Sequence, residues 1–163
     1  MDFARALRHL CTPGLLAARR LPAPAIQAIA AAIRASELEH GGEIRFEIEA
    51  ALSPSELWHG VTARQRALQV FGEQRVWDTE RNTGVLIYLL LADHDVEIVA
   101  DRGVAAGDWE AVCRAMEAEL RAGRYREAAL AGVSGVGEVL RRLAPRHEGD
   151  RNELPDAPGF VSR

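Results

Sequence analysis

One stretch constrains this chain more than any other: Val85-Leu86-Ile87-Tyr88-Leu89-Leu90-Leu91-Ala92 is an unbroken apolar run. A membrane helix needs roughly 20 such residues. The run therefore predicts a strand over Val85 to Leu91, apolar on both faces and central in a sheet. Asp93-His94-Asp95 makes a tight turn, and Val96 to Ala100 returns as the second arm of a hairpin. A strand buried on both faces needs cover on both sides. With 163 residues, 48% of them hydrophobic, the chain holds enough apolar material for one domain with a sizeable core.

That cover is legible as helices. Pro22 and Pro24 open a helix running to about His40, with Ile26, Ile29 and Ile33 as its core stripe and Gly41-Gly42 as its stop. Thr62 and Gln65 form a capping box for a helix with Ala67, Leu68 and Phe71 inward. Asp108 caps another, with Trp109, Val112, Cys113, Met116 and Leu120 on one face. A last helix spans about Arg126 to Ala144, with Leu130, Val133, Val136, Leu140 and Leu143 inward, and Pro145 ends it. Gly132, Gly135 and Gly137 sit inside this helical pattern, so they serve close helix packing rather than dinucleotide binding.

Between the helices, Glu43-Ile44-Arg45-Phe46-Glu47-Ile48-Glu49 alternates strictly and predicts a half-buried strand. Its charged face is expected in solvent, with the lining of a site as the alternative. Ser53 to Gly60 reads as a loop, and Val76-Trp77 as a short fourth strand. The expected fold is an α/β single-domain α-β-α sandwich with a small mixed sheet of about four strands. Residues 1–20 form a basic helix with Phe3, Leu7 and Leu10 at helical spacing; it is expected to pack on the domain by this stripe, with an anionic membrane surface as the alternative. Residues 21–145 form the domain, and the polar, Pro-rich residues 146–163 a disordered tail.

Charge narrows the function. A formal net charge of -4 argues against nucleic acid as the main partner, since phosphate binding needs a basic surface. Cys11 and Cys113 lack the spacing of a redox or zinc motif and read as two buried free thiols in a reducing compartment. Pro13, Arg19, Arg20, Pro22 and Pro24 interrupt any apolar leader, so the expected location is cytoplasmic, without direct membrane insertion. No serine sits in a nucleophile elbow and no histidine pair has metal-ligand spacing on a helix. One segment stands out. Asp78-Thr79-Glu80-Arg81-Asn82-Thr83-Gly84 sets oxygen side chains at alternate positions and ends in a glycine turn, the kind of bent loop a hard cation such as calcium wants. Leu89 stands where an EF-hand would carry its bidentate glutamate, so this is not an EF-hand. Asp101 ends the return strand and is expected at the same edge.

The pieces Phe71-Gly72, Asn82-Thr83-Gly84, Val85 to Leu90 and Val96 to Gly103 resemble the TPM domain family. There a helix ends in an aromatic-glycine motif, and a polar Asp-Asn-Gly-like turn leads into an apolar strand and a return strand. The likeness extends more loosely from Ile26 to Leu143. It implies an α-β-α sandwich. Phosphatase activity and calcium binding have been attributed to some members, and bacterial members often accompany LemA-like membrane proteins. The resemblance therefore implies calcium or another divalent cation at Asp78, Asn82 and Asp101, to which the alternating oxygens of the turn add Glu80 as a fourth ligand, and a LemA-like or other TPM membrane protein as partner. The expected role is a non-catalytic binding or adaptor module, and the alternative is a metal-dependent phosphatase acting on phosphomonoesters.

Overall fold

The computed structural model of the protein describes residues 3–12 and 14–161. Its elements run α1 (Phe3–Leu10), α2 (Gly14–Arg20), α3 (Ala23–Glu37), β1 (Glu43–Glu49), α4 (Pro54–Trp58), α5 (Ala63–Glu73), β2 (Gly84–Leu90), β3 (Asp95–Ala100), a 3-10 turn (Arg102–Val104), α6 (Trp109–Arg121), α7 (Tyr125–Leu143) and β4 (Gly159–Phe160). The four strands lie in the order β3-β2-β1-β4. β1 runs parallel to β2, with Ile44 opposite Val85 and Ile48 opposite Leu89, and parallel to β4. β3 returns antiparallel, Val99 opposite Leu86. The fold is the α-β-α sandwich with a mixed sheet that the patterning predicts.

Side-chain alternation splits the core in two. Ile44, Phe46, Ile48, Val85, Ile87, Leu89 and Ile98 face the layer of α2, α3, α6 and α7. Leu86, Tyr88, Leu90 and Val99 face α5, Leu52, Leu57, Val76 and Leu154. β2 contributes to both, which is why its sequence shows no alternation. Burying each large apolar side chain contributes about 1.5–3 kcal/mol, so this strand alone anchors both layers. In α7 a Cβ on Gly132 would stand 2.3 Å from Met116 Sδ. The glycine lets α6 and α7 close up, as its place in a helical pattern suggests.

Several expectations need correction. Val76 and Trp77 form a turn, not a strand: Val76 N–H bonds Phe71 O, Arg75 has φ 51°, and only the Val76 side chain enters the core. The fourth strand is β4, inside the segment expected to be a disordered tail. That segment packs because Arg45 donates to Pro155 O and Ala157 O at 3.0 and 2.9 Å, while Leu154 N–H bonds Glu43 Oε2. It covers Glu43, Arg45 and Glu47 on the charged face of β1, while Arg66 and Tyr88 cover Glu49, so all four are buried rather than solvated. The expected loop after Ser53 holds α4, closed by a Ser53–Glu56 capping box. Leu68 faces solvent because the inward stripe of α5 is Ala63, Arg66, Ala67 and Val70, and Leu143 is partly exposed at the end of α7. Cys11, expected to be buried, is exposed.

The N-terminal helix is two helices, and α1 is held by its polar side. Arg5 Nε and Arg8 Nη2 donate to Asp93 at 2.8 and 3.1 Å, while Phe3, Leu7 and Leu10 are exposed. Among the described residues no helix is long and apolar enough to cross a membrane.

Candidate functional site

The oxygen-rich turn and the end of β3 meet where β1 and β2 begin. Asp101 N–H bonds Gly84 O at 2.9 Å, fixing the end of β3 against the start of β2. Its Oδ1 accepts from Arg102 N at 2.7 Å and caps the 3-10 turn; its Oδ2 is buried with no hydrogen-bond partner. Asn82 holds a left-handed backbone, φ 54°, and its carbonyl accepts from Gly103 N at 2.9 Å. Asn82 Oδ1 accepts from Arg102 Nη2 at 2.8 Å. The structure thus ties Asn82 and Asp101 to one another through Arg102 and Gly103. Glu80 turns toward the C-terminal segment, its N–H on the Glu153 carboxylate at 3.0 Å, and Asp78 stands exposed on the turn. Among the described residues no three His, Cys, Asp or Glu side chains are grouped to hold a metal ion. A cation at Asp101 and Asn82 would have to displace the Arg102 guanidinium, though the orphaned Asp101 oxygen is the kind of group a cation satisfies.

Beside this edge lies a cleft of about 670 Å³ between the end of α3, the start of β1, the Glu80–Arg81 turn and the C-terminal segment. Glu37 sits in it, with Oε1 accepting from Ile44 N at 2.9 Å and Oε2 buried without a partner. Burial above all pushes the Glu37 carboxyl up to about 8; the Ile44 bond opposes this, and the nearby Glu43 and Asp156 carboxylates add to it. Burial also raises Glu43. Arg34, Arg81, Arg146 and Arg151 line the same cleft, so its walls are mixed in charge.

The opposite end, where β1 and β2 finish, is where parallel α/β sheets usually place their ligands. Here it is closed. Glu49 Oε2 accepts from Tyr88 O–H at 2.6 Å and from Arg66 Nε at 2.9 Å, all three buried. Burial, reinforced by Glu49, pushes the Tyr88 hydroxyl far above its ordinary value, so it stays a donor. Asp93 accepts from Arg5 and Arg8. Leu52 N–H donates to His9 Nδ1 at 2.9 Å, which leaves the proton on His9 Nε2, 3.0 Å from Asp93 Oδ2. Burial would raise Asp93, but these three hydrogen bonds hold its carboxyl below the usual range. Midway along β1, Glu47 pairs with Arg45 at 2.5 Å. A Cβ on Gly159 would lie 2.4 Å from both Glu47 oxygens, so the pair leans across the glycine of the adjoining β4.

Sequence reading placed Asn82 and Asp101 at one edge and missed the Glu49–Tyr88–Arg66 and Asp93–His9 networks. Tyr88 was the available signal: a hydroxyl inside a strand buried on both faces must find an acceptor, and the glutamates of the neighbouring strand are the nearest candidates.

A mixed four-stranded sheet between two helical layers, with a turn-and-hairpin edge of this kind, defines an α/β sandwich module. The family is specific: the model of the TPM domain matches residues 17–139, and the chain belongs to that family. The chain is similar to the BA42 protein of the psychrophilic bacterium Bizionia argentinensis, known from an NMR structure, at 26% identity and a TM-score of 0.75, over 86% of this chain and 95% of that one. It is also similar in fold to the N-terminal domain of a protein from P. gingivalis, at 19% identity and a TM-score of 0.61, over 78% and 82% of the two chains. No curated protein matches the chain.

Proposed function

We propose that the chain is a cytoplasmic, non-catalytic binding or adaptor module of the TPM type, which works with a membrane-protein partner and takes calcium or another divalent cation at the Asp101 edge. The observation that carries the reading is the use of the carboxylates at the finishing ends of β1 and β2. Glu49 and Asp93 are saturated by Arg66, Tyr88, Arg5, Arg8 and His9, so the usual catalytic end of the sheet is built as structure. The cation part rests on Asp101 Oδ2, with Asn82 beside it and Glu80 and Asp78 on the adjoining turn. A cation that binds only the folded chain stabilises it by about 1.4 kcal/mol at ten times Kd. The melting temperature should then rise by about 3–6 °C in calcium against chelator, less in magnesium, and not at all in Asp101→Asn. No shift at millimolar calcium would sink the site.

A metal-dependent phosphatase acting on phosphomonoesters is the second reading. It is favoured by Arg102, whose guanidinium, a group suited to phosphate, bonds Asn82 Oδ1 while its backbone N–H bonds Asp101 Oδ1, the partner oxygen of the orphaned Oδ2. Phosphomonoester turnover with calcium, magnesium or manganese should stay near background. Robust turnover abolished by Asp101→Ala would make this the better reading.

A further inference from the structure

An amphipathic helix ordinarily buries its apolar stripe. α1 does the reverse. His9 is 3% exposed and Arg5, Arg8 and His9 converge on Asp93, while Phe3, Leu7 and Leu10 are 77%, 53% and 77% exposed. A further element adds to this surface: α4 presents Trp58, 71% exposed. Phe3, Leu7, Leu10, Leu57 and Trp58 line a predominantly apolar groove of about 460 Å³. Large apolar side chains gathered at one end, rather than scattered singly, mark a surface that is covered in use.

Charge decides what covers it. Residues 1–20 together with Asp93, the acid that Arg5 and Arg8 meet, carry four arginines and two aspartates, a net +2, so the rest of the chain carries -6 of the total -4. An anionic surface therefore attracts this end and repels the remainder, which fixes the orientation of approach. Arg19 is exposed and Arg8, although bonded to Asp93, keeps 53% of its side chain in solvent. A second copy is disfavoured, because a two-fold contact through this patch sets the same arginines against one another. Protruding Phe, Leu and Trp beside exposed arginines match the interface of a bilayer, where apolar side chains sink just below the headgroups and guanidinium groups meet phosphate.

We infer that the α1–α4 end is a peripheral docking surface for an anionic membrane, with Phe3, Leu10 and Trp58 entering the interface and Arg8 and Arg19 at the headgroups. This takes the membrane alternative for the N-terminal helix over the expectation that Phe3, Leu7 and Leu10 fasten it to the domain, and it goes beyond the binding-module reading without depending on it.

The test uses the full chain and phosphatidylcholine vesicles with and without phosphatidylglycerol. The protein should pellet with the anionic vesicles at low salt, be released as salt rises, and stay in the supernatant with neutral ones. Its tryptophan emission should shift to the blue on binding, a shift that Trp58→Phe removes. Phe3→Ser with Leu10→Ser should weaken partitioning about tenfold or more, and Arg19→Glu should weaken it on anionic vesicles alone, both with unchanged melting curves because these side chains contact solvent. Three results would overturn the inference: no pelleting at low salt, equal binding to neutral vesicles, or a wild-type dimer that Leu10→Ser dissolves. Failure here leaves the calcium-dependent melting shift untouched, so the two readings fail separately.

Discussion

The two ends of the sheet treat their carboxylates in opposite ways. Where β1 and β2 finish, Glu49 and Asp93 each accept at least two charged or hydroxyl donors. Where the strands begin, Glu37 Oε2 and Asp101 Oδ2 are buried with none. A buried carboxylate is expensive unless donors surround it, so the first end is built for rigidity, while the second holds groups that a proton or a cation satisfies. The closed end also carries α1, and through it the apolar groove; the open end borders the polar cleft.

That contrast can be broken most severely at Glu49. Glu49→Ala leaves Arg66 buried beside Tyr88 with its main partner gone, and should cost about 3–5 kcal/mol in urea unfolding. Glu37→Ala in the open cleft should cost far less. Equal losses would mean that both ends are structural. A smaller effect is expected at Asp93→Asn, which keeps the shape but weakens the bonds to Arg5, Arg8 and His9. It should cost about 1–3 kcal/mol and speed hydrogen exchange in α1 before any other helix. The Asp93 pairing also has a pH signature: its carboxyl is held below the ordinary range, so its contribution is present above the unfolded pKa and is lost as pH falls through the folded one.

The smallest effect is expected at Glu37. Glu37 holds its proton up to about 8 in the folded chain against an ordinary 4.5. The folded state therefore binds more protons than the unfolded state across that window, and stability falls as pH rises from about 4.5 to about 8. Glu37→Gln keeps an acceptor for the Ile44 N–H and removes the slope. Because the cleft is open to solvent, the gain at pH 8.5 should be only about 1 kcal/mol, or about 2–4 °C in melting temperature. A wild-type melting curve flat over this range would remove Glu37 from the argument.

Much of the fold was legible locally. The Val85–Leu91 run, the hairpin after it and the Thr62–Gln65 capping box all declare themselves within a few residues. Ser53-Pro54-Ser55-Glu56 carries the same capping signature with a proline at the first helical position, so α4 was equally readable. What was not legible depends on partners far away in sequence. Alternation in β1 says that one face is apolar; it cannot say that Arg45 reaches Pro155 and Ala157, 110 and 112 residues on, and draws a Pro-rich segment over the other face. The same holds for the sites. Asp101 and Asn82 could be placed by a strand end and a turn, whereas the Asp93–Arg5 pair, 88 residues apart, gives no local sign. The direction of α1 was misread because periodicity finds an apolar stripe without saying which way it faces.

The arrangement of β4 bears on how the chain is made. β4 pairs only with Glu47 and Ile48 of β1, yet it and the segment before it guard that flank of the sheet. The guarding segment follows β1 by some 110 residues, so at ordinary translation speeds β1 waits roughly 5–20 s for its cover. An unguarded strand edge invites pairing with other nascent chains. The alternating Glu43, Arg45, Glu47 and Glu49 serve in that interval as repellent charges; Glu43, Arg45 and Glu47 thus act first as gatekeepers against aggregation and only later as contacts of the segment that covers them, while Glu49 goes to Arg66 and Tyr88.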